Sequence, residues 1–297
     1  VHLSRAQELT AEADALVARH GGPVGLDAVR GDRRLRRTWA PCLSRHRAWT
    51  WDAADRRDTR WWPQGIALEP GGERVAVTWY AQDGGVRVSV LDLARRRYAH
   101  VALVVPTTGG HEPLAAHAGG LGWHGTRLYV AATRAGLWVC DVRDVVRSPD
   151  GLLLPVRHRL VPESDDDGEP LRFSFVAVDD ACDPPALVAG EYGGRRQTRR
   201  FAEMPIDGGP VTVVAHDVLR AQGVARIEGR LYLSSSHGPW GLGSIWSGEP
   251  GGFREHRRVL PMGPEDLAYD ARTDRLWTVT EHPRRRWIVS LRRSRVS

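Results

Sequence analysis

Between Gln64 and Trp287 the apolar and polar positions fall into one phrase used five times. A short strand opens on small or polar residues, a turn follows, and a second strand, usually led by arginine, ends in polar groups. The openings are Pro63-Gln64-Gly65-Ile66, His117-Ala118-Gly119-Gly120, Phe173-Ser174-Phe175, Gln222-Gly223-Val224 and Pro264-Glu265-Asp266-Leu267. Second strands follow at Arg74-Val75-Ala76-Val77, Arg127-Leu128-Tyr129-Val130, Ala186-Leu187-Val188-Ala189, Arg230-Leu231-Tyr232-Leu233 and Arg275-Leu276-Trp277-Thr278. Alternation such as Val86-Arg87-Val88-Ser89-Val90 marks a half-buried strand, and openings roughly 40 to 55 residues apart approach the period of a four-stranded propeller blade. The expected fold is all-β: a five-bladed β-propeller over 63–297, preceded in 1–62 by a helix and an Arg/Trp-rich capping segment, the whole forming one domain.

The phase of the repeat locates the blades at about 64–105, 119–160, 173–215, 222–260 and 265–291. The last shows only three strands, which would leave an open sheet edge. Arg47-Ala48-Trp49-Thr50-Trp51 alternates as a strand should and lies just upstream of the first blade, so closure by strand exchange between the chain's two ends is expected. Ala6, Leu9, Ala13, Leu16 and Val17 lie at helical spacing between Ser4, a candidate cap, and the stop Gly21-Gly22.

A chain of 297 residues, 41% hydrophobic, can bury a full core as one domain. No apolar run reaches the length a membrane helix needs, and Val1-His2-Leu3-Ser4 is not a leader; a cytoplasmic protein is expected, or a secreted one if a leader has been removed. The net charge of +6 comes entirely from arginine over acid, with no lysine, a bias of composition rather than a phosphate-binding signature. Between Gly25 and Trp62, Arg33, Arg34, Arg36, Arg37, Trp39, Trp49, Trp51, Trp61 and Trp62 are interleaved with Asp52, Asp55 and Asp58. That mixture reads as a self-paired cap on the propeller rather than a grip for single-stranded nucleic acid. Neither nucleic acid nor membrane is expected as a partner; a small molecule is. Cys42, Cys140 and Cys182 make no CxxC pair; Cys140 sits in an apolar strand as an inert thiol, and a Cys42–Cys182 bridge is left open.

In a propeller the start of each innermost strand shares a face with the end of the second. The openings thus gather Gln64, His117, Ser174, Gln222, Glu265 and Asp266 around the axis. Second-strand ends add Tyr80, Thr133, Glu191, Tyr192, Ser236, His237, Glu281 and His282 in a wider ring. Titratable groups converging on one concavity are a candidate site. Glu265 and Asp266 are the sharpest members, able to serve as general base or to bind a cation, with a clamp on neighbouring amides as the structural alternative. His117 would act as acid or as a metal ligand beside Glu265, and Glu191, Glu281 and His282 as acid/base partners. Gln64, Tyr80, Tyr192, Gln222 and His237 would contact substrate, with Trp79 and Trp240 supplying a stacking wall. No GxSxG elbow, zinc helix, phosphate loop or dinucleotide fingerprint is present. Asp165-Asp166-Asp167-Gly168-Glu169 lacks the closing acid of a calcium loop and reads as a solvated connection.

Trp62-Pro63-Gln64-Gly65-Ile66, His117-Ala118-Gly119-Gly120, Arg172-Phe173-Ser174-Phe175-Val176-Ala177-Val178-Asp179, Gly190-Glu191-Tyr192, Gln222-Gly223 and Gly263-Pro264-Glu265-Asp266-Leu267 together resemble a family of uncharacterised, often exported actinobacterial propeller-like proteins. The likeness covers about 60–292 and implies a propeller without an activity. More distantly, the Pro63 and Gly263 openings look like those of calcium-dependent lactonases and strictosidine-synthase-like propellers. In the lactonase pattern a glutamate follows the proline and binds an axial metal; here Gln64 stands there, which weakens the expectation of calcium on the axis. The leading expectation is a redox-neutral acid/base enzyme, a hydrolase, lyase or cyclase, acting on a small polar, glycoside-like or natural-product substrate without a required cofactor. The competing one is a non-catalytic propeller that binds a ligand or protein through its aromatic, Arg-rich face.

Overall fold

The computed structural model describes residues 2–163 and 169–297, and it is all-β apart from two short helices and three 3-10 turns. The acidic run Asp165-Asp166-Asp167-Gly168 lies outside the described residues. No helix among the described residues is long and apolar enough to cross a membrane.

Four sheets make up the molecule. The largest, of 13 strands, contains two antiparallel runs: Trp61–Leu68, Arg74–Ala81, Val86–Asp92 and Arg97–Thr107; then Leu121–His124, Arg127–Ala131, Leu137–Asp141 and Gly151–Glu163. The runs are fused where Leu152–Pro155 pairs in parallel with Val101–Val104. Phe175–Asp179, Ala186–Gly190, Arg200–Pro205 and Thr212–Ala215 form the second sheet, and Ala221–Ile227, Arg230–Ser235, Leu242–Gly248 and Arg254–Met262 the third. The last begins with Pro264–Asp270, Arg275–Thr280 and Trp287–Arg292.

The leading strands lie against one another in cyclic order: Trp61–Leu68, Leu121–His124, Phe175–Asp179, Ala221–Ile227, Pro264–Asp270, and back to Trp61–Leu68. This radial arrangement is that of a β-propeller. Side chains would hold the leading strands apart near the axis, so glycine stands at their openings. A Cβ on Gly223 would lie 2.2 Å from the Leu267 amide, and one on Gly120 2.4 Å from that of Val176. Apolar side chains fill the wedges between sheets, for example Phe175, Val188, Phe201, Val224 and Leu233.

The last sheet borrows its outer strand from the N-terminal region. His46–Thr50 pairs antiparallel with Trp287–Arg292, and Arg36–Thr38 adds a further strand beyond it. Trp49 stacks on Trp277 with ring centroids 5.4 Å apart, and Trp51 meets Trp79 and Tyr98 edge-on. Asp52 caps the short helix Ala53–Arg57 by accepting from the Asp55 amide at 2.9 Å. Asp55, 3% exposed, accepts hydrogen bonds from Arg87 (2.8 Å), Tyr98 (2.5 Å) and His100 (2.9 Å). His100 passes the chain on to Ser89 at 2.8 Å, and Trp79 Nε1 donates to Ser89 at 2.7 Å. Within the Arg/Trp-rich segment Arg33 pairs with Asp52 at 3.1 Å, whereas Asp55 is bonded chiefly by residues of the first antiparallel run.

The N-terminus departs from expectation in one respect. His2–Ala6 is a strand paired with Gly151–Glu163, and the helix begins only at Thr10. Ser4 is not its cap but donates to Glu163 at 2.5 Å; edge pairing outcompetes helix for residues 2–6, whose alternation served either structure. All three cysteines are free: Cys140 is buried, Cys42 lies 3.2 Å from His46 Nδ1, and Cys182 contacts Asp179 at 3.1 Å.

Removal of residues 1–55 should abolish the cooperative thermal transition measured by circular dichroism, because it strips the outer strand from the last sheet. Asp55→Ala should cost ~3 kcal/mol, since Arg87 would be left buried without its partner. Burial raises the Asp55 carboxyl, but the bonds from His100, Arg87 and Tyr98 outweigh it and hold the group below its ordinary value. The stabilisation is therefore present above the ordinary carboxylate range and lost as pH falls below it, so wild type and Asp55→Ala should converge in acid denaturation.

Candidate active site

Three of the leading strands carry a register shift at the opening: between Pro63 and Ile66, Ala221 and Gly223, and Pro264 and Leu267. A bulge leaves a residue unpaired and re-aims its side chain. Gln64, Gln222 and Glu265 sit at those irregularities, and all three line one cavity of about 380 Å3. His117, Gly119, Thr133, Arg172, Ser174, Tyr192, Gln197 and Glu281 complete its wall. Apart from Gly119, every lining residue has a polar side chain.

Glu265 and Glu281 form the centre. Glu265 is 3% exposed, and burial first, then the neighbouring Glu281 and Asp266 charges, raises its carboxyl well above the ordinary range. Glu281 is also raised by burial, but a hydrogen bond from Gln64 and the charge of Arg286 pull it back. Both carboxyls line the cavity and both are raised, Glu265 the more strongly because the Glu281 charge adds to its burial. Gln64 Nε2 donates to Glu281 Oε2 at 3.2 Å and Gln222 Nε2 to Glu265 Oε1 at 3.3 Å, so an amide braces each end of the pair. Burial and the neighbouring like charge both favour the neutral form of Glu265.

His117 and Tyr80 form the adjoining wall, with ring centroids 4.6 Å apart. Although the His117 ring meets solvent, the protein atoms crowded around it disfavour the imidazolium and lower its basicity. The Tyr80 hydroxyl is raised by burial and by the charges of Glu281 and Glu265. Thr133 occupies the left-handed region at φ 52°, held by reciprocal backbone bonds with Phe173 at 2.9 and 3.0 Å. A β-branched residue there stores about 1–3 kcal/mol of strain.

Other expected residues lie elsewhere. Asp266, adjacent to Glu265, does not reach the cavity: its Oδ2 accepts from the amides of Ile66 (3.1 Å) and Leu121 (2.9 Å), clamping two leading strands. Burial raises its carboxyl well above the ordinary range against the pull of those amides. Glu191 is sealed by Arg200 through bonds of 2.8 and 3.1 Å, which lower its carboxyl against burial; it is structural. His282 stands behind Glu281, its Nδ1 3.5 Å from the carboxylate and its ring edge-on to Trp62. A Cβ on Gly263 would strike that ring at 2.6 Å, so the glycine before Pro264 makes room for it. His237 bonds Ser244 at 2.9 Å, away from the lining. Trp79 is a core residue, fully buried, and supplies no wall. Trp240 is 79% exposed with the Arg285 guanidinium 3.9 Å above its ring.

Arg172 and Gln197 are lining residues that strand phase did not single out. Arg172 immediately precedes the third opening, which was a usable signal; Gln197 belongs to a loop without periodicity. Arg172 bonds Thr198 at 2.9 Å and lies 3.8 Å from Glu191, so its charge is compensated. Among the described residues, no three His, Cys, Asp or Glu side chains are grouped to hold a metal ion. His117 and Glu265 share the cavity wall, with the side-chain amides of Gln64 and Gln222 beside the two carboxyls.

Because Glu265 is neutral when folded and ionised when unfolded, its contribution to stability is lost as pH rises from the ordinary carboxylate range toward its raised value. Glu265→Gln should therefore be at least as stable as wild type at neutral and alkaline pH, and its melting temperature should fall less as pH rises. A series of thermal melts across pH checks this.

No protein-family model matches the sequence, and no curated protein matches it. Solved structures similar to this chain include a gluconolactonase from Xanthomonas campestris, 15% identical, with 88% of this chain and 98% of that one covered and a TM-score of 0.49. A glutaminyl cyclase from Myxococcus xanthus is 12% identical, with 87% and 96% covered and a TM-score of 0.47. A chain of a nidogen/laminin complex is 9% identical, with 84% and 85% covered and the same TM-score. Similarity at this level speaks to neither activity nor ligand.

Proposed function

We propose that the chain is a five-bladed propeller, two of whose blades are fused into the largest sheet, and that its axial cavity performs redox-neutral acid/base chemistry on a small polar molecule. The observation that carries this reading is the Glu265–Glu281 pair: a buried carboxyl and a part-buried one lining the same polar cavity, both raised above the ordinary range, with a weakly basic histidine beside them. Perturbed carboxyls in a cavity are the arrangement proton-transfer chemistry needs. Glu265 would give its proton to a leaving or carbonyl oxygen. Glu281, as carboxylate, would take one from water in hydrolysis, from carbon in elimination, or from the ligand's own nucleophile in ring closure. Each version moves one proton in and one out and needs no oxidant.

Gln64, Gln222 and Gln197, with Thr133, Ser174 and Tyr192, would orient the ligand by hydrogen bonds. A wall this polar suits a ligand dense in hydroxyl, ester or amide groups. Arg172 is already paired with Glu169, so among the described lining residues there is no uncompensated cation for an anionic ligand. A second reading, a binding module, draws on exposed Trp240 under Arg285, an aromatic surface such as ligand-recognition sites use.

The two readings part on variants. A panel of neutral lactones, esters and glycosides is screened by thermal shift, then for turnover. With a binder found, Glu265→Gln and Glu281→Gln should each lower kcat at least 100-fold while leaving affinity within several-fold, as loss of a positioned acid or base does. The pH–rate profile should be bell-shaped, reporting the pair as a unit. If the variants alter only affinity, the protein is a binding module.

A further inference from the structure

The two ends of the propeller axis treat arginine differently. At the far ends of the leading strands lies a cavity of about 530 Å3 whose lining includes Glu69, Asp179, Glu228, Asp270, Arg226 and Arg272. Its charges are matched: Arg226 pairs with Asp179 and Glu203, Arg272 with Asp270, Arg74 with Glu69 and Arg293 with Glu228. At the other end, segments 132–136, 191–199, 216–222 and 281–286 send Thr133, Gln197, Gln222 and Glu281 into the wall of the candidate site. Within three residues of each lies an exposed arginine or two: Arg134, Arg195 and Arg196, Arg220, and Arg284. None of the five pairs with a carboxylate among the described residues. Of the acids in these segments Glu191 is taken by Arg200, Glu281 lines the cavity, and Asp217 alone is exposed. The Arg220 amide bonds the Gly193 carbonyl at 3.3 Å, so two of the segments are joined. One arginine-rich chain thus neutralises its guanidiniums at one mouth and leaves them open in an arc around the other.

We propose that this arc receives an acidic oligosaccharide, one unit of which enters the cavity while the anionic groups of its flanking units meet the guanidiniums. The inference rests on the axial cavity being the working site and narrows the class of its ligand. The cavity wall offers hydroxyls, amides and carboxyls, a surface for a hydroxyl-rich unit, and Arg172 within it is already paired with Glu169. Anionic groups are therefore met outside the cavity, where each guanidinium presents a planar fork of donors that matches a carboxylate bidentately. Exposed Trp240 adds an aromatic platform with the Arg285 guanidinium 3.9 Å over one face of its ring, and Arg285 belongs to the segment that carries Glu281. The apolar face of a sugar ring and its carboxylate fit such a pairing together. A nucleic-acid strand fits less well, because successive bases need successive aromatic platforms, and Tyr192 is the only Phe, Tyr or Trp among the lining residues.

The probe is an oligosaccharide in which glucuronate alternates with a neutral N-acetylated sugar, and its carboxyl-reduced form is the uncharged control. Titration calorimetry with the full chain should show the acidic probe binding more tightly than the reduced one, with an affinity that falls as salt rises. R195E/R196E and R220E/R284E should each weaken the acidic probe about tenfold or more and leave the reduced one unchanged, as reversal of rim charges does. R147E/R292E, the same charge change at exposed arginines away from the cavity, should leave both unchanged. All these positions are exposed, and an unchanged thermal melt for each variant confirms that folding is intact. Equal affinity for the two probes overturns the proposal, and so does a loss in R147E/R292E as large as in the rim variants. A thymidine oligonucleotide of equal charge that binds as tightly as the saccharide also overturns it, in favour of nucleic acid. If the acidic probe fails to bind while a neutral ligand is turned over in a Glu265-dependent way, the proposal falls and the acid/base reading stands. Rim-dependent binding without turnover upholds the arc and counts against that reading.

Discussion

The ring must close, and the chain closes it with residues more than two hundred positions apart. His46–Thr50 completes the last sheet, but the pairing is secured by a buried guanidinium. Arg286 is fully buried and donates to the carbonyls of Glu281 (2.8 Å), Asp55 (2.5 Å) and Trp61 (2.6 Å). It therefore ties the last hairpin, the short helix Ala53–Arg57 and the first leading strand at one point. Burial pushes Arg286 down to about 10, and the nearby charges of Asp58 and Asp55 pull the other way. Charge buried at this density is costly unless fully bonded, and here each of the three elements supplies one of the bonds.

The same lock reaches the candidate site. Arg286 holds the Glu281 carbonyl, and its charge favours ionised Glu281. Closure of the ring and the division of roles within the carboxyl pair are thus coupled: the residue that fastens the last hairpin biases which glutamate keeps the proton. Around that pair the fold tolerates several unfavourable features at once: buried Glu265 and Asp266 carboxyls raised well above the ordinary range, an Asp266 Oδ1 with no partner among the described residues, and Thr133 in the left-handed region. A ring held at its seam by many buried bonds can sustain such local costs.

Strand positions were legible because alternation and turn chemistry are local, and the repeat fixed their phase. Individual side chains were legible only where no neighbouring strand intervened. Glu265 and Asp266 look equivalent in sequence, yet a register shift between Pro264 and Leu267 turns one to the cavity and the other to the amides of Ile66 and Leu121. Glu191 stands at a second-strand end just as Glu281 does. Arg200, nine residues on, captures it, and no periodicity announces that pairing. Trp79 ends in the core because Ser89 and the Asp55 network lie across the strand from it.

What the sequence determined by itself is the leading and second strands, the missing outer strand and the segment able to supply it, since these follow from period, turn residues and an edge that must be covered. It also determined that polar openings face one end of the axis. Only the tertiary structure decided which of those polar groups line one cavity, which seal salt bridges and which clamp backbone. Those outcomes depend on bulges, on burial and on contacts between residues far apart in the chain, and a one-residue shift in a strand exchanges one face for the other.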